Sequence, residues 1–207
     1  MKRITLSMIF ACCTLILAAQ ETIQVNYQGS RPTISDFAGA YLLTYVYDED
    51  GDDCLDEARS AMKHIWAQYL KGKPLGKGNK ITVDQKNGYV GYESKDEYSS
   101  ENDILKIEMC YWNESDGKHK LFAYNVSSFR NGKCYPGQFD GIIFYRYNNA
   151  TKKMVYCDDP FNRVESADGA WISYSLPRVG KDITVNYWYE SGKKQKLLKW
   201  NGRRFSF

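Results

Sequence analysis

Histidine is scarce in this chain. His64 and His119 are the only two, and no Cys-x-x-Cys pair accompanies them, so the ligand spacing of a zinc site is missing. Neither histidine has a serine or cysteine nucleophile in a recognisable local setting, and both are expected to face solvent. An excess of one charge is also missing: 28 basic residues stand against 25 acidic ones, whereas nucleic-acid binders concentrate basic residues on one face. Beyond the first twenty residues no apolar run approaches the roughly 20 residues of a membrane-spanning helix. No segment repeats at a fixed period, which argues against a propeller. No cofactor, no nucleic-acid partner and no membrane span in the mature chain are expected.

What is present begins at the N-terminus. Lys2 and Arg3 precede an apolar run from Ile4 to Leu17, broken only by Thr5, Ser7 and Thr14 and followed by the small pair Ala18-Ala19. This is the three-part pattern of a cleavable signal peptide over residues 1–20, with a periplasmic or secreted mature chain as its consequence. Cys12 and Cys13 fall inside the apolar run, too early for the modified cysteine of a lipoprotein. Cleavage removes two basic residues and lowers the formal net charge from +3 to +1. Cys54, Cys110, Cys134 and Cys157 remain, and an oxidising compartment invites disulfides among them. A Cys134–Cys157 pair is expected, because both flank a hairpin over 140–156 and Pro136-Gly137 can turn the chain back. Cys110 is then buried and free.

Residues 21–34 are polar and carry Gly29-Ser30-Arg31-Pro32, which reads as a flexible lead-in, with a single α+β domain over 35–207. From Ile34 to Tyr47 a short helix capped by Ser35 or Asp36 competes with a strand. Leu55, Ala58, Met62, Ile65, Trp66, Tyr69 and Leu70 recur at helical spacing, with Asp52 or Asp53 as N-cap and Gly72 as stop. Strands follow. A two-residue turn at Asn87-Gly88 sets Val83 opposite Tyr92; one at Asp116-Gly117 sets Tyr111 opposite Phe122 and Cys110 opposite Ala123; one at Asn201-Gly202 sets Leu198 opposite Phe205. The fold expected is α+β: a mostly antiparallel β-meander of about nine or ten strands with one long amphipathic helix near the N-terminus. Single sheet, sandwich and barrel all fit this pattern.

The run from Glu108 to Asn113, its continuation Asp116 to Ala123, and the segments Gly137 to Gly141 and Asn148 to Met154 resemble parts of a family of small exported Bacteroidales proteins of unknown function. The resemblance spans roughly residues 80–157 and implies a periplasmic or surface-exposed bacterial protein. It brings no activity and no assigned residues with it.

Three patterns carry candidate chemistry. Asp48, Asp50 and Asp52 have the alternate spacing of a calcium loop, but Gly51 is displaced from the loop glycine position and Arg59 stands where a bidentate glutamate belongs; acids set against the positive end of a helix dipole are the simpler account. Asn113, Asn125 and Asn149 head Asn-x-Ser/Thr triplets, which have meaning only where a glycosylating pathway exists. The third pattern is the aromatic excess, 17 Tyr, 9 Phe and 5 Trp. Tyr187, Trp188 and Tyr189 are consecutive, so not all can point to one side of a strand, and an exposed member would stack on a sugar or anchor a protein. The function expected is a non-enzymatic exported binding domain for a protein or glycan. A polysaccharide hydrolase using a carboxylate pair from different strands is the alternative.

Overall fold

The computed structural model describes residues 22–43, 55–95, 102–137, 140–158, 160–162, 164–165 and 169–207. The expected signal peptide over residues 1–20, the Asp48, Asp50 and Asp52 group, the Asp52 or Asp53 cap and Cys54 lie outside the described residues. In chain order the elements are β1 (Thr22–Gln24), α1 (Ile34–Leu43), α2 (Leu55–Leu70), β2 (Asn79–Asp84), β3 (Tyr89–Lys95), β4 (Ile104–Asn113), β5 (His119–Arg130) and β6 (Lys133–Cys134). They continue with β7 (Gly141–Asn148), β8 (Lys153–Cys157), β9 (Trp171–Ser175), β10 (Ile183–Tyr189), β11 (Gly192–Trp200) and β12 (Phe205–Ser206). Among the described residues there are two helices instead of one long one, and twelve strands form two antiparallel sheets. The larger runs β1-β8-β7-β5-β4-β3-β2 with β6 beside β5; the smaller runs β12-β11-β10-β9. No helix among the described residues is long and apolar enough to cross a membrane.

Strand alternation gives the large sheet two covered faces. Val90, Ile107, Met109, Phe122, Tyr124, Tyr147 and Met154 point to one side and share a core with both helices. Helix α1 contributes Ile34, Phe37, Ala38, Tyr41 and Leu42, spaced as one apolar stripe; Tyr41 lies 4.8 Å from Tyr124 and Phe37 5.0 Å from Tyr147, centroid to centroid. The cap of α1 is Thr33, not Ser35 or Asp36. Asp36 sits three positions on and accepts from both the Thr33 N–H and its hydroxyl, each at 2.7 Å. At the other end, buried Arg59 of α2 donates from Nε (3.1 Å) and Nη2 (2.5 Å) to the Tyr41 carbonyl. One cation therefore satisfies a C-terminal carbonyl of α1 and ties the helices together. Helix α2 stops where Gly72 adopts φ +61°, a left-handed conformation suited to glycine.

The lead-in is part of the sheet. β1 pairs with β8, Thr22 opposite Val155 and Ile23 opposite Met154, and Ile23 and Val25 are completely buried. One apolar residue between two polar ones was too short a signal to read as a strand. The Asp116-Gly117 hairpin has the expected register, with Tyr111 opposite Phe122 and Cys110 opposite Ala123. The other two registers move by two residues, each because a side chain captures the turn. Val83 faces Val90, not Tyr92, since the Asp84 carboxylate accepts from the Asn87 N–H at 3.1 Å and from its amide at 2.9 Å. Trp200, not Leu198, faces Phe205, since Asn201 Oδ1 accepts from the N–H of Arg203 and Arg204, both at 2.9 Å.

The second face of the large sheet carries the small sheet, and polar chemistry makes that joint. β9 is an edge strand with open backbone groups. Asn125, fully buried on β5, donates to the Tyr174 carbonyl at 3.0 Å, and Glu108, 2% exposed on β4, accepts from the Leu176 N–H at 3.2 Å. Glu108 is further held by the Tyr89 hydroxyl at 2.8 Å, the Asn125 amide at 3.3 Å and Lys106 Nζ at 2.9 Å. Burial and the adjacent carboxylate keep the Tyr89 hydroxyl protonated far above the ordinary tyrosine range. Tyr89 reaches Glu108 by lying along its own strand over Gly91, where a Cβ would meet the Tyr89 hydroxyl oxygen at 2.8 Å. Around this polar joint Cys110, Trp112, Leu121, Ala123 and Phe144 pack on Ile183, Val185, Leu198 and Phe205.

Glu108→Ala leaves the Leu176 N–H, the Tyr89 hydroxyl and Lys106 without their acceptor, and is expected to cost about 3 kcal/mol. Thermal denaturation should register a fall of about 9 °C, with Glu108→Gln losing less. An unchanged midpoint for Glu108→Ala would show that Glu108 contributes nothing to the joint between the two sheets.

Candidate functional site

Alternation along β10 separates the aromatic triplet. Tyr187 faces the core between the sheets and is 7% exposed; Tyr189 packs on that same core as a half-buried residue. Trp188 points the other way, directly opposite Trp171 on β9 and Lys193 on β11. Two aromatic surfaces result where the sequence implied one.

The first is a groove. Tyr187, Phe161, Leu198, Phe205 and Phe207 line an open cavity of about 680 Å³, with Asn162, Glu165, Asn201 and Arg204 as its polar members. That size falls within the range of small-ligand sites, and the lining mixes aromatic rings with amide, carboxylate and guanidinium groups. Register explains the convergence. Trp200 pairs with Phe205, so Phe205 and Phe207 fall on the same side as Leu198, which pairs with Ile183 two positions along from Val185. Phe207 is 63% exposed. Lys196 Nζ lies 5.7 Å from the Tyr187 centroid and 5.5 Å from that of Phe207, and Lys194 Nζ 5.2 Å from that of Tyr189. Burial, assisted by the neighbouring Tyr189, raises the Tyr187 hydroxyl above its ordinary pKa.

The second surface is flatter. Trp188 donates from Nε1 to the Ser173 hydroxyl at 2.9 Å, and its ring meets Phe129 edge-on at 5.8 Å. Trp171 beside it is 61% exposed. The next row of the same face is held internally, Gln195 donating to Asn186 Oδ1 at 2.7 Å. Trp171 and the groove phenylalanines escaped the sequence reading because each is contributed from a different strand or loop; local spacing records none of those neighbours.

His119 is half-buried, not solvent-facing, and belongs to a third cluster. One oxygen each of Glu114 and Asp116 and a ring nitrogen of His119 lie within 4.8 Å of one another, the kind of donor group that can hold a metal ion. Every donor is already engaged. Arg146 Nε donates to Glu114 at 2.7 Å, and His119 Nδ1 meets Asp116 at 2.6 Å. Asn148 accepts from the Ala150 and Thr151 N–H through Oδ1 (2.9 and 3.1 Å), which fixes its amide so that Nδ2 donates to His119 Nε2 at 3.0 Å. The imidazole is thereby oriented from both sides, with Nδ1 toward Asp116 and Nε2 toward Asn148. The cluster closes the β4–β5 turn, because Asp116 Oδ1 also takes the N–H of Lys118 and His119 at 2.8 and 3.0 Å.

Cys134 is a free thiol, and the expected Cys134–Cys157 bridge is not formed. Cys134 faces Phe129 on β5, whereas Cys157 faces Phe144, which in turn faces Ala123. Six positions of β5 separate those partners, about 20 Å at the strand rise, far beyond the reach of a disulfide. Burial, together with Asp140, pushes the Cys134 thiol up to about 11. Cys110 is buried and free, as expected. Asn125 is also fully buried, so its Asn-x-Ser triplet carries no sugar in the folded protein. Comparison with protein-family models, curated proteins and solved structures finds no match.

The Asp116 carboxyl is held down to about 2, first by the His119 hydrogen bond and then by the Lys118 N–H. A folded pKa below the ordinary 3.8 stabilises the folded state above that value, and the contribution disappears as pH falls toward 2. Asp116→Asn should accordingly be less stable than wild type at neutral pH, with the gap in urea midpoint closing across this acid window. A gap that is constant down to the lower limit would mean that the charge of Asp116 contributes nothing.

Proposed function

We propose that this is an exported, non-enzymatic binding protein whose ligand is a glycan, seated in the groove lined by Tyr187, Phe205 and Phe207. The supporting observation is the groove itself: the exposed Phe207 ring beside the nearly buried Tyr187 and Phe205, with Asn162, Asn201 and Arg204 among its polar lining. Pyranose rings present apolar C–H faces and equatorial hydroxyls, so a site for them combines flat aromatic surface with amide and guanidinium partners. Export rests on the pattern of residues 1–20, whose charged, apolar and small-residue parts are those of a signal peptide. The periplasm or the cell exterior, where polysaccharides are met, is the compartment that follows.

The hydrolase alternative has less support in this groove. Glycoside hydrolysis in its usual form uses two acidic side chains on either side of the scissile bond, and Glu165 is the one acid among the described residues that line the cavity.

The test is a glycan-array screen of the purified protein followed by titration of the strongest hit. Phe207→Ala removes an exposed ring without touching the core, and should lower affinity about fivefold, the worth of roughly 1 kcal/mol of stacking. Trp171→Ala, on the opposite face of the small sheet, should bind as wild type does. Loss of binding in Trp171→Ala with retention in Phe207→Ala would move the site to the other face and overturn the assignment.

A further inference from the structure

We infer that the glycan taken by this groove is acidic, its carboxylate or sulfate groups met by Lys194, Lys196 and Arg204; the inference rests on the groove being a glycan site. The observation behind it is a segregation of charge that the near-balanced total conceals. From Gly192 to Phe207 the chain carries Lys193, Lys194, Lys196, Lys199, Arg203 and Arg204 and no acidic residue. β11 places these in the open, since every residue from Gly192 to Leu197 is exposed. β12 pairs with β11 only at Lys199 and Trp200, so the basic half of the strand projects beyond that pairing.

Alternation then sorts the cations. Lys193 turns to the Trp188 side, while Lys194 and Lys196 turn to the groove side, where their ammonium groups stand over Tyr189, Tyr187 and Phe207. Arg204 lines the cavity from the turn beyond. Against these three cations the described lining offers one acid, Glu165. A row of lysines on an open strand edge also discourages edge-to-edge association. That role is served by charge of any orientation, however, and does not account for Lys196 standing over Tyr187 and Phe207, two rings of the cavity, with Lys194 over the adjoining Tyr189. Aromatic floor and cationic rim together suit a sugar ring bearing a negative substituent, with ring stacking and charge pairing satisfied at once.

The deciding comparison is polygalacturonate against the same polymer fully methyl-esterified, titrated into the purified protein and into Lys194→Gln/Lys196→Gln. Both lysines are exposed, so circular dichroism should find the double variant folded. The acid form should bind about tenfold more tightly than the ester at low salt, and the difference should shrink as NaCl is raised. The double variant should lose about tenfold for the acid form and nothing for the ester. Equal binding of both forms, unaltered in the double variant, would overturn the acidic preference and leave the glycan reading intact. Binding of neither form, together with an empty glycan array, would remove the glycan reading itself. Single-stranded DNA bound as tightly as polygalacturonate would overturn the assignment to glycans in favour of polyanions at large.

Discussion

Glu108 is the group on which the two-sheet arrangement depends. A strand at the edge of a sheet must find partners for its backbone or remain a template for association. Here β9 finds them not in another strand but in side chains rising from the middle of the large sheet. Asn125 supplies the donor for Tyr174, and Glu108 supplies the acceptor for Leu176. A charged carboxylate in such a place is costly unless fully paired, and the Tyr89 hydroxyl, the Asn125 amide and Lys106 complete its shell. The joint is directional, so it sets where β9 lies along β4 and β5, which apolar packing alone leaves free to slide.

That placement determines where the groove opens. β10 and β11 follow β9 in the small sheet, and their inward residues Ile183, Val185 and Leu198 share the core with Leu121, Ala123 and Phe144. Tyr187 comes at the end of this inward row, where the core gives way to the cavity that Phe205 and Phe207 enclose. The aromatic wall is thus a continuation of the core, with Tyr187 and Phe205 still largely buried and Phe207 exposed at its margin.

The sequence revealed what alternation and short turns can carry. The β4–β5 hairpin was legible because its apolar residues alternate on both sides of Asp116-Gly117 with one consistent pairing. The β2–β3 and β11–β12 hairpins have equally clear glycine signals, yet Asp84 and Asn201 reach across the turn to backbone N–H groups and lengthen the loops by two residues. Asn-Gly marks the place of a turn but not the side chain that closes it. Buried Glu108, Asn125 and Ser127, whose hydroxyl donates to the Tyr174 carbonyl at 3.5 Å, could not be foreseen as a docking joint, because their partners Tyr174 and Leu176 lie 47 to 68 positions away in sequence. The Tyr187 triplet was visible as an aromatic concentration. Its division between two faces follows from period two, whereas the phenylalanines that turn one of those faces into a cavity come from separate segments.

The pairing of β1 with β8 has a consequence for how the chain acquires its structure. Gln24 bonds to the Lys152 carbonyl across 128 positions of sequence, whereas β2 through β5 pair with immediate neighbours. Local hairpins close first and distant strands last, since loop entropy must be met before a remote contact forms. The first strand of the described chain is therefore the last to be seated on the large sheet. A chain that emerges with this end leading would carry Thr22–Gln24 unpaired until β8 had followed, and the helix-covered core would stay open at that margin until then.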